Sequence, residues 1–356
     1  MREDALTLLE ETAGSILPAP HPAPPIRAHV DRLTKPVGSL GRLEDLAVRL
    51  GCIYGDPPPQ LHEVVVFVLA ADHGVTAQGV SAYPAEVTAQ MCANFSSGGA
   101  AINVLARAAS ARVVVADFGV ADDLSGLPGV LNRKVRRGTA DLSLGPAMSR
   151  ADATIAIARG IQLVTECTPI PDAVVIGEMG IGNTTSASAL VSAFTGAEPH
   201  GVVGTGTGIG ADQRLHKTAV VTRALERLSP DADAISVLAQ LGGFEIAGMA
   251  GVALGAASLG KAVVVDGFIS AAAALVAVRV CPNVRDYLVG SHRSTEPGHD
   301  LTLQALGLTP LLDMKLRLGE GSGGALAIPM IRAAVDLLRD MATFESAGVS
   351  RSDSSA

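Results

Sequence analysis

The stretch VVVFVLAADHG, residues 64–74, is an unbroken apolar run that stops abruptly at Asp72, His73 and Gly74. A run with no polar residue in alternation reads as a strand buried on both faces of a parallel sheet. Five further runs share the pattern: RVVVADF (112–118), AVVIG (173–177), GVVGT (201–205), AVVVD (262–266) and YLVGS (287–291). Helical stretches lie between them. The chain is therefore expected to be α/β, with a mainly parallel sheet of about six strands and flanking helices. Each run empties into a polar or glycine-rich tail: ADHG (71–74), DFG (117–119), GEMGIGNTT (177–185), GTGTGIGAD (204–212), DGF (266–268) and GSHRSTEPGH (290–299). Ligands of open parallel sheets bind beyond the carboxyl ends of the strands. Six such tails at one edge predict a ligand-binding rim there.

The ends of the chain lack strands. Proline-rich breaks at PAPHPAPP (18–25) and GDPPPQ (55–60) bracket a segment with helical periodicity, in which Leu40, Leu43, Leu46, Ala47 and Leu50 share a face. The stretch 325–344 is also helical in pattern. Residues 1–58 and 325–356 are thus expected to form a small helical domain beside a catalytic domain at 59–324. The last residues, SAGVSRSDSSA, read as a frayed end.

Composition narrows the function. The 356 residues carry a net charge of −8 and no concentrated Lys/Arg block, against the needs of a nucleic-acid surface. There is no Trp and aromatics reach only 3%, so base-stacking platforms are scarce. Mean hydropathy is positive. Even so, the longest uncharged runs, Ile246–Gly260 and Gly267–Val278, fall short of the ~18–20 residues a membrane span needs. Cys52, Cys92, Cys167 and Cys281 show no CxxC or zinc spacing, and MREDALTLLEE does not resemble a secretory signal. The expectation is a cytoplasmic protein with reduced thiols, no nucleic-acid or membrane partner, no metal and no cofactor.

The motifs leave several readings open. In GEMGIGNTT, Gly180 and Gly182 precede Asn183 and Thr184 at the start of a helix, which suits a phosphate as well as an ordinary capped turn. Glu178 is out of place in an anion site. In GTGTGIGA, Gly206-x-Gly208-x-x-Ala211 matches a dinucleotide fingerprint, with Glu226 twenty residues beyond Gly206 as a ribose acid would be. Lys217 could neutralise a phosphate or be a solvated lysine. Asp72-His73 has no second histidine at ligand spacing, so a buried, hydrogen-bonded histidine is the default. Ser291 and His292 sit near Glu296 without a GxSxG elbow, which favours hydrogen bonding over a hydrolase triad. KVRRGTADLSLGPAMSR (134–150) is the one modestly basic patch. LRLGEGSGGALA (316–327) sets Glu320 among glycines, where a carboxylate would repel an anion.

Together LTKPVGSLGRLE, AADHGVTAQGVSAYP, GEMGIGNTT, GTGTG, LGGFEIAGMAG, DGFISAAAAL, GSHRSTEPGH and LRLGEGSGGALA resemble the nicotinate-nucleotide:dimethylbenzimidazole phosphoribosyltransferase family of cobalamin lower-ligand synthesis. The matches span residues 33–327. The resemblance implies a Rossmann-like large domain, a small helical domain from both termini and a homodimer. It implies transfer of a 5-phosphoribosyl group from nicotinate mononucleotide to 5,6-dimethylbenzimidazole, with inversion at the anomeric carbon. It also implies that Glu320 is the general base, with Glu178 either assisting it or binding the ribose. Ser81, Tyr83, Gln90, Met179 and Leu318 are expected to line the benzimidazole pocket. Gly180, Gly182, Asn183, Thr184, Gly204, Thr205, Gly206, Lys217 and Ser291 are expected around the phosphate and ribose. An NAD(P)-dependent oxidoreductase and a non-catalytic nucleotide-binding protein remain the alternatives.

Overall fold

The computed structural model describes residues 2–206 and 208–350. Thr207 of the GTGTG segment and the end of the C-terminal tail, 351–356, lie outside the described residues. Three helices come first: α1 (Arg2–Ser15), α2 (Ala23–Arg32) and α3 (Arg42–Tyr54). The chain then enters β1 (Val64–Ala71), α4 (Val87–Ser97), α5 (Ala101–Ala108), β2 (Arg112–Gly119), β3 (Val130–Asn132), α6 (Arg150–Thr165) and β4 (Ala173–Met179). A helical stretch follows with α7 (Asn183–Thr195), α8 (Pro199–Val202), α9 (Ala211–Leu225), α10 (Ala234–Leu241) and α11 (Phe244–Ser258). The remaining elements are β5 (Ala262–Val265), α12 (Phe268–Val280), β6 (Leu288–Gly290), β7 (His292–Ser294), α13 (Pro297–Leu306), β8 (Leu312–Leu316) and α14 (Ser322–Asp340).

Six strands form one parallel sheet in the order β3-β2-β1-β4-β5-β6, and β7 pairs with β8 in a separate parallel ribbon. Every residue of β1 is buried, whichever face its side chain takes, so helices cover both sides as the apolar run implied. Helix α11 packs against β1, β2, β4 and β5, and α14 packs against β1 and β4. The backbones of α6 and α11 touch. A Cβ on Gly160 would collide with the Gly248 carbonyl, and one on Gly251 with that of Ile157. The two long uncharged runs become α11 and α12, both buried along nearly their whole length. Among the described residues no helix is long and apolar enough to cross a membrane.

One expected strand is absent. GVVGT ends helix α8 and continues as a loop, because Pro199 starts a helical turn there and only Val202 and Val203 are β-branched in the apolar run. The sixth strand is instead Val130–Asn132, an edge strand whose apolar run, Val130 and Leu131, is too short to be read as a strand. Leu40 precedes α3 and is exposed, while Leu46, Ala47 and Leu50 are buried as the periodicity required. Helices α2 and α3 pack together and α3 lies on α14, whereas α1 lies on α6 and α11. Their buried residues join the same apolar core as the sheet.

Candidate active site

The strand order reverses between β1 and β4, which places a crevice at their carboxyl ends. The segments following β1, β4, β5 and β6 and the loop before α14 converge there around a cavity of about 630 Å³. Ser81, Tyr83, Glu178, Met179, Gly180, Gly182, Asn183, Thr184, Gly206, Leu318 and Glu320 all line it. These residues are far apart in the chain and meet only in the fold.

Five sequence-selected residues do not line the cavity. On α4 it is Val87 and Met91 that line it, four residues apart on one helix face, while Gln90 is exposed. Gly204 is pressed against Glu296 so closely that a Cβ would collide with its carboxylate. Thr205 is exposed beside it. Lys217 is buried beneath the cavity floor and donates to Thr184 Oγ1 at 2.7 Å. Ser291 is buried behind the wall, where its hydroxyl donates to the Asp266 carbonyl at 3.1 Å.

Glu320 occupies an unusual backbone position. Gly319, Glu320 and Gly321 have φ of 91°, 63° and 86°, three left-handed residues in succession. Glycine adopts this region freely, but a glutamate there costs on the order of 1 kcal/mol or more. The flanking glycines also have no room for side chains. A Cβ on Gly319 would strike Glu178 Oε1, and one on Gly321 would lie 2.7 Å from Val66 Cγ1 in β1. The turn delivers a buried carboxylate to the cavity wall, where Oε2 accepts the Ile102 amide at 3.1 Å in the first turn of α5. Burial raises its pKa above the ordinary 4.5, the Ile102 hydrogen bond opposes that, and the charge of Asp266 adds to it.

Glu178, near the end of β4, is buried beside this turn, with its carbonyl accepting the Glu320 amide at 3.2 Å. Burial is the main reason its pKa is pushed up to about 8, with Glu245, Asp266 and Glu320 as repelling neighbours and a hydrogen bond from Asn183 opposing them. Both carboxylates are thus raised by burial, and Glu178, at about 8, is mainly protonated near neutrality. A carboxyl whose value rises from 4.5 to about 8 on folding stabilises fully below 4.5, and loses that contribution as pH rises through about 8. The denaturation midpoint of the intact protein should therefore fall between acidic pH and about pH 8. Glu178→Gln should flatten that slope in denaturant titrations run across the same range. Parallel slopes for the two proteins would mean that Glu178 ionises normally.

A helix N-terminus forms the next part of the wall. Gly182, at φ 93°, caps α7, whose N-terminal turn carries Asn183 and Thr184 into the wall. A helix N-terminus there attracts negative charge. Lys217 stands below Thr184, its pKa lowered to about 8 by burial and partly restored by Glu296. Glu296 Oε1 accepts the Gly206 amide at 2.9 Å, and Arg317 donates to the Gly206 carbonyl at 3.4 Å.

Other polar motifs are occupied structurally. His73 is buried, with Nε2 2.7 Å from Glu245 Oε1 and Nδ1 3.1 Å from Ser186 Oγ. In the basic stretch, Lys134 faces Asp117 at 3.2 Å and Arg136 faces Asp152 at 3.3 Å. The cavity also uses residues that the sequence did not single out, including Val80, Val87, Met91, Ile181, Phe268 and Ile269. An apolar wall and an apolar core look alike in sequence. The i, i+4 pair Val87 and Met91 just after Tyr83 was the available hint.

A family model described as phosphoribosyltransferase matches residues 18–349. The nicotinate-nucleotide–dimethylbenzimidazole phosphoribosyltransferase of Desulforamulus reducens is 52% identical over 350 residues, 97% of this chain and 100% of that protein. This chain belongs to that family. The family member from Geobacter sulfurreducens is 50% identical over 351 residues, 98% of this chain and 100% of its own length. The crystal structure of CobT from Thermus thermophilus matches with a TM-score of 0.89 at 46% identity, covering 96% of this chain and 99% of that one. Membership in the family does not favour the oxidoreductase alternative. The GxGxxA segment also follows the short helix α8 rather than a strand, so it lacks the context of a dinucleotide fingerprint.

Proposed function

We propose that this chain moves the 5-phosphoribosyl group of nicotinate mononucleotide onto 5,6-dimethylbenzimidazole, with Glu320 as general base. The observation that carries the reading is the buried Glu320 carboxylate, held on a left-handed turn at the wall of a largely apolar cavity. One ring nitrogen of the benzimidazole attacks the anomeric carbon from the face opposite the pyridinium. The C–N bond to nicotinate breaks and its electron pair returns to the pyridine nitrogen, so the leaving group needs no proton. The attacking ring becomes cationic and its other N–H acidifies. Glu320 accepts that proton and stabilises the growing charge. The products are α-ribazole 5′-phosphate and nicotinate.

Each part of the cavity has a task in this scheme. Ser81, Tyr83, Val87, Met91, Met179 and Leu318 suit a flat apolar ring. The α7 N-terminus with Gly180, Gly182, Asn183, Thr184, Gly206 and Lys217 suits the phosphate. Glu178, protonated near neutrality, suits hydrogen bonding to the ribose or assistance to Glu320. Tyr83 and Leu318 are more than half exposed at the cavity mouth, which fits a homodimer that covers this rim. Within the described residues, 2–58 and 325–350 would form the small helical domain, and the enzyme would act on its soluble substrates in the cytoplasm.

The test is to incubate the protein with both substrates, without added metal, and to separate the products by chromatography and mass. α-Ribazole 5′-phosphate is expected with stoichiometric nicotinate. Nicotinate release without a ribosylated base would reduce the reading to a hydrolase, and no turnover would overturn it.

A further inference from the structure

We infer that Asp266 is the positioning residue for Glu320, holding the glycine turn in place through hydrogen bonds and facing the carboxylate as a second negative charge. The inference rests on the general-base reading of Glu320. Asp266 directly follows β5, an inner strand of the sheet, and is 1% exposed. Its two carboxylate oxygens are divided over the turn that carries Glu320. Oδ2 accepts the Gly321 amide at 3.1 Å and Oδ1 accepts the Gly324 amide at 2.9 Å. It thus bonds the residue immediately after Glu320 and the first turn of α14, where a carboxylate also meets the positive end of the helix.

The turn needs an external hold because its own residues have little to hold with. A Cβ on Gly323 would collide with His292, and one on Gly324 with Val175 of β4. The segment is therefore nearly bare backbone pressed onto the sheet. Its one long side chain, Glu320, points to the cavity in a strained conformation. Without an anchor, such a turn would relax toward ordinary dihedrals and swing the carboxylate away. Asp266 fixes the backbone, and the Ile102 amide aims the side chain.

Charge is the second part of the effect. The titratable groups around Asp266 are Glu320, Glu178 on β4 with Glu245 of α11 behind it, and His292 on β7. His292 Nδ1 lies 3.7 Å from Asp266 Oδ1, but burial lowers the histidine to about 4, so it brings no positive charge near neutrality. Burial pushes Asp266 itself up to about 7, against hydrogen bonds from the Gly324, Gly323, Gly321 and Gly267 amides. Its charge in turn raises Glu320. The acid limb of kcat therefore reports Glu320 in the field of Asp266, whose ionisation adds to the rise.

The experiment measures kcat and KM against pH for the intact enzyme, Asp266→Asn and Glu320→Gln, with nicotinate mononucleotide and dimethylbenzimidazole. For Asp266→Asn, kcat should fall roughly 10–100-fold, as expected of a misplaced catalytic group. KM for nicotinate mononucleotide should stay within about twofold. The acid limb should move to lower pH, because the charge that adds to the rise of Glu320 is gone, and a merely structural loss would not produce that shift. An acid limb that stays at its original pH, or an unchanged kcat, overturns the inference. Should Asp266→Asn fail to fold, the intact enzyme decides by NMR. The Gly321 and Gly324 amide protons should follow a titration centred well above the usual carboxylate range, and signals that stay flat from mildly acidic to mildly alkaline pH would overturn it. Glu320→Gln separates the two ideas. Full activity in that variant removes the general-base reading. A slow Glu320→Gln beside an unshifted Asp266→Asn removes only the role given to Asp266.

Discussion

Glu320→Gln should lower kcat by roughly 10²–10⁴-fold, the range that a positioned general base contributes, with little change in KM for either substrate. Glutamine keeps the shape of the side chain and retains an oxygen to accept the Ile102 amide, so the turn and the cavity wall survive. What it loses is the capacity to take the azole proton and the negative charge opposite the forming cation. Both matter more in the transition state than in the ground state, so the effect belongs in kcat. The pH profile supplies a second check. Activity requires the ionised carboxylate, so in the intact enzyme kcat falls as pH drops through the raised value of Glu320. The variant has no such group, and its residual rate should lose that limb. A variant with wild-type kcat would mean that the proton leaves by another route, and the mechanism would have to be rebuilt around Glu178 or solvent.

The contrast between what the sequence disclosed and what it concealed follows from the range of each interaction. The strands β1, β2, β4 and β5 were legible because burial on both faces leaves a local apolar run. GVVGT misled because a short apolar run does not distinguish a strand from the end of a helical turn, and Pro199 decided for the helix. Val130–Asn132 was invisible because an edge strand needs no apolar pair of faces. Glu320 and Glu178 stood out as acids among glycines, a local anomaly. Gln90 was misassigned by helix phase: Val87 and Met91 lie about 40° apart around α4, and Gln90 falls outside that sector. Asp266 could not be found from its string at all, since VVVDGF gives no sign of the amides it binds 55 and 58 positions later.

Lys217→Met should act on the other side of the kinetics, raising KM for nicotinate mononucleotide roughly 10–100-fold, as expected for one lost charge-assisted contact, with a smaller change in kcat. Lys217 is 1% exposed on α9, bonded to Thr184 Oγ1 beneath the wall where α7 begins. A phosphate at that helix end would gain both the α7 amides and the buried ammonium, and its charge would offset the desolvation that the lysine suffers in the free protein. Phosphate binding is shared by ground state and transition state, so its loss appears as KM rather than kcat. The lysine's pKa in the free protein is lowered to about 8, so kcat/KM should decline as pH rises through that value. Methionine has no charge to lose, and the variant's alkaline limb should vanish. Its stability gives an internal control. A lysine depressed from 10.5 to about 8 penalises the folded state fully below about 8, and that penalty lifts only as pH rises toward 10.5. Near neutrality the methionine variant escapes the penalty, so its denaturation midpoint should not lie below that of the intact protein, and weaker binding cannot be ascribed to unfolding. An unchanged KM with the alkaline limb intact would place the phosphate elsewhere, with Arg317 at the cavity mouth as the next cation to test.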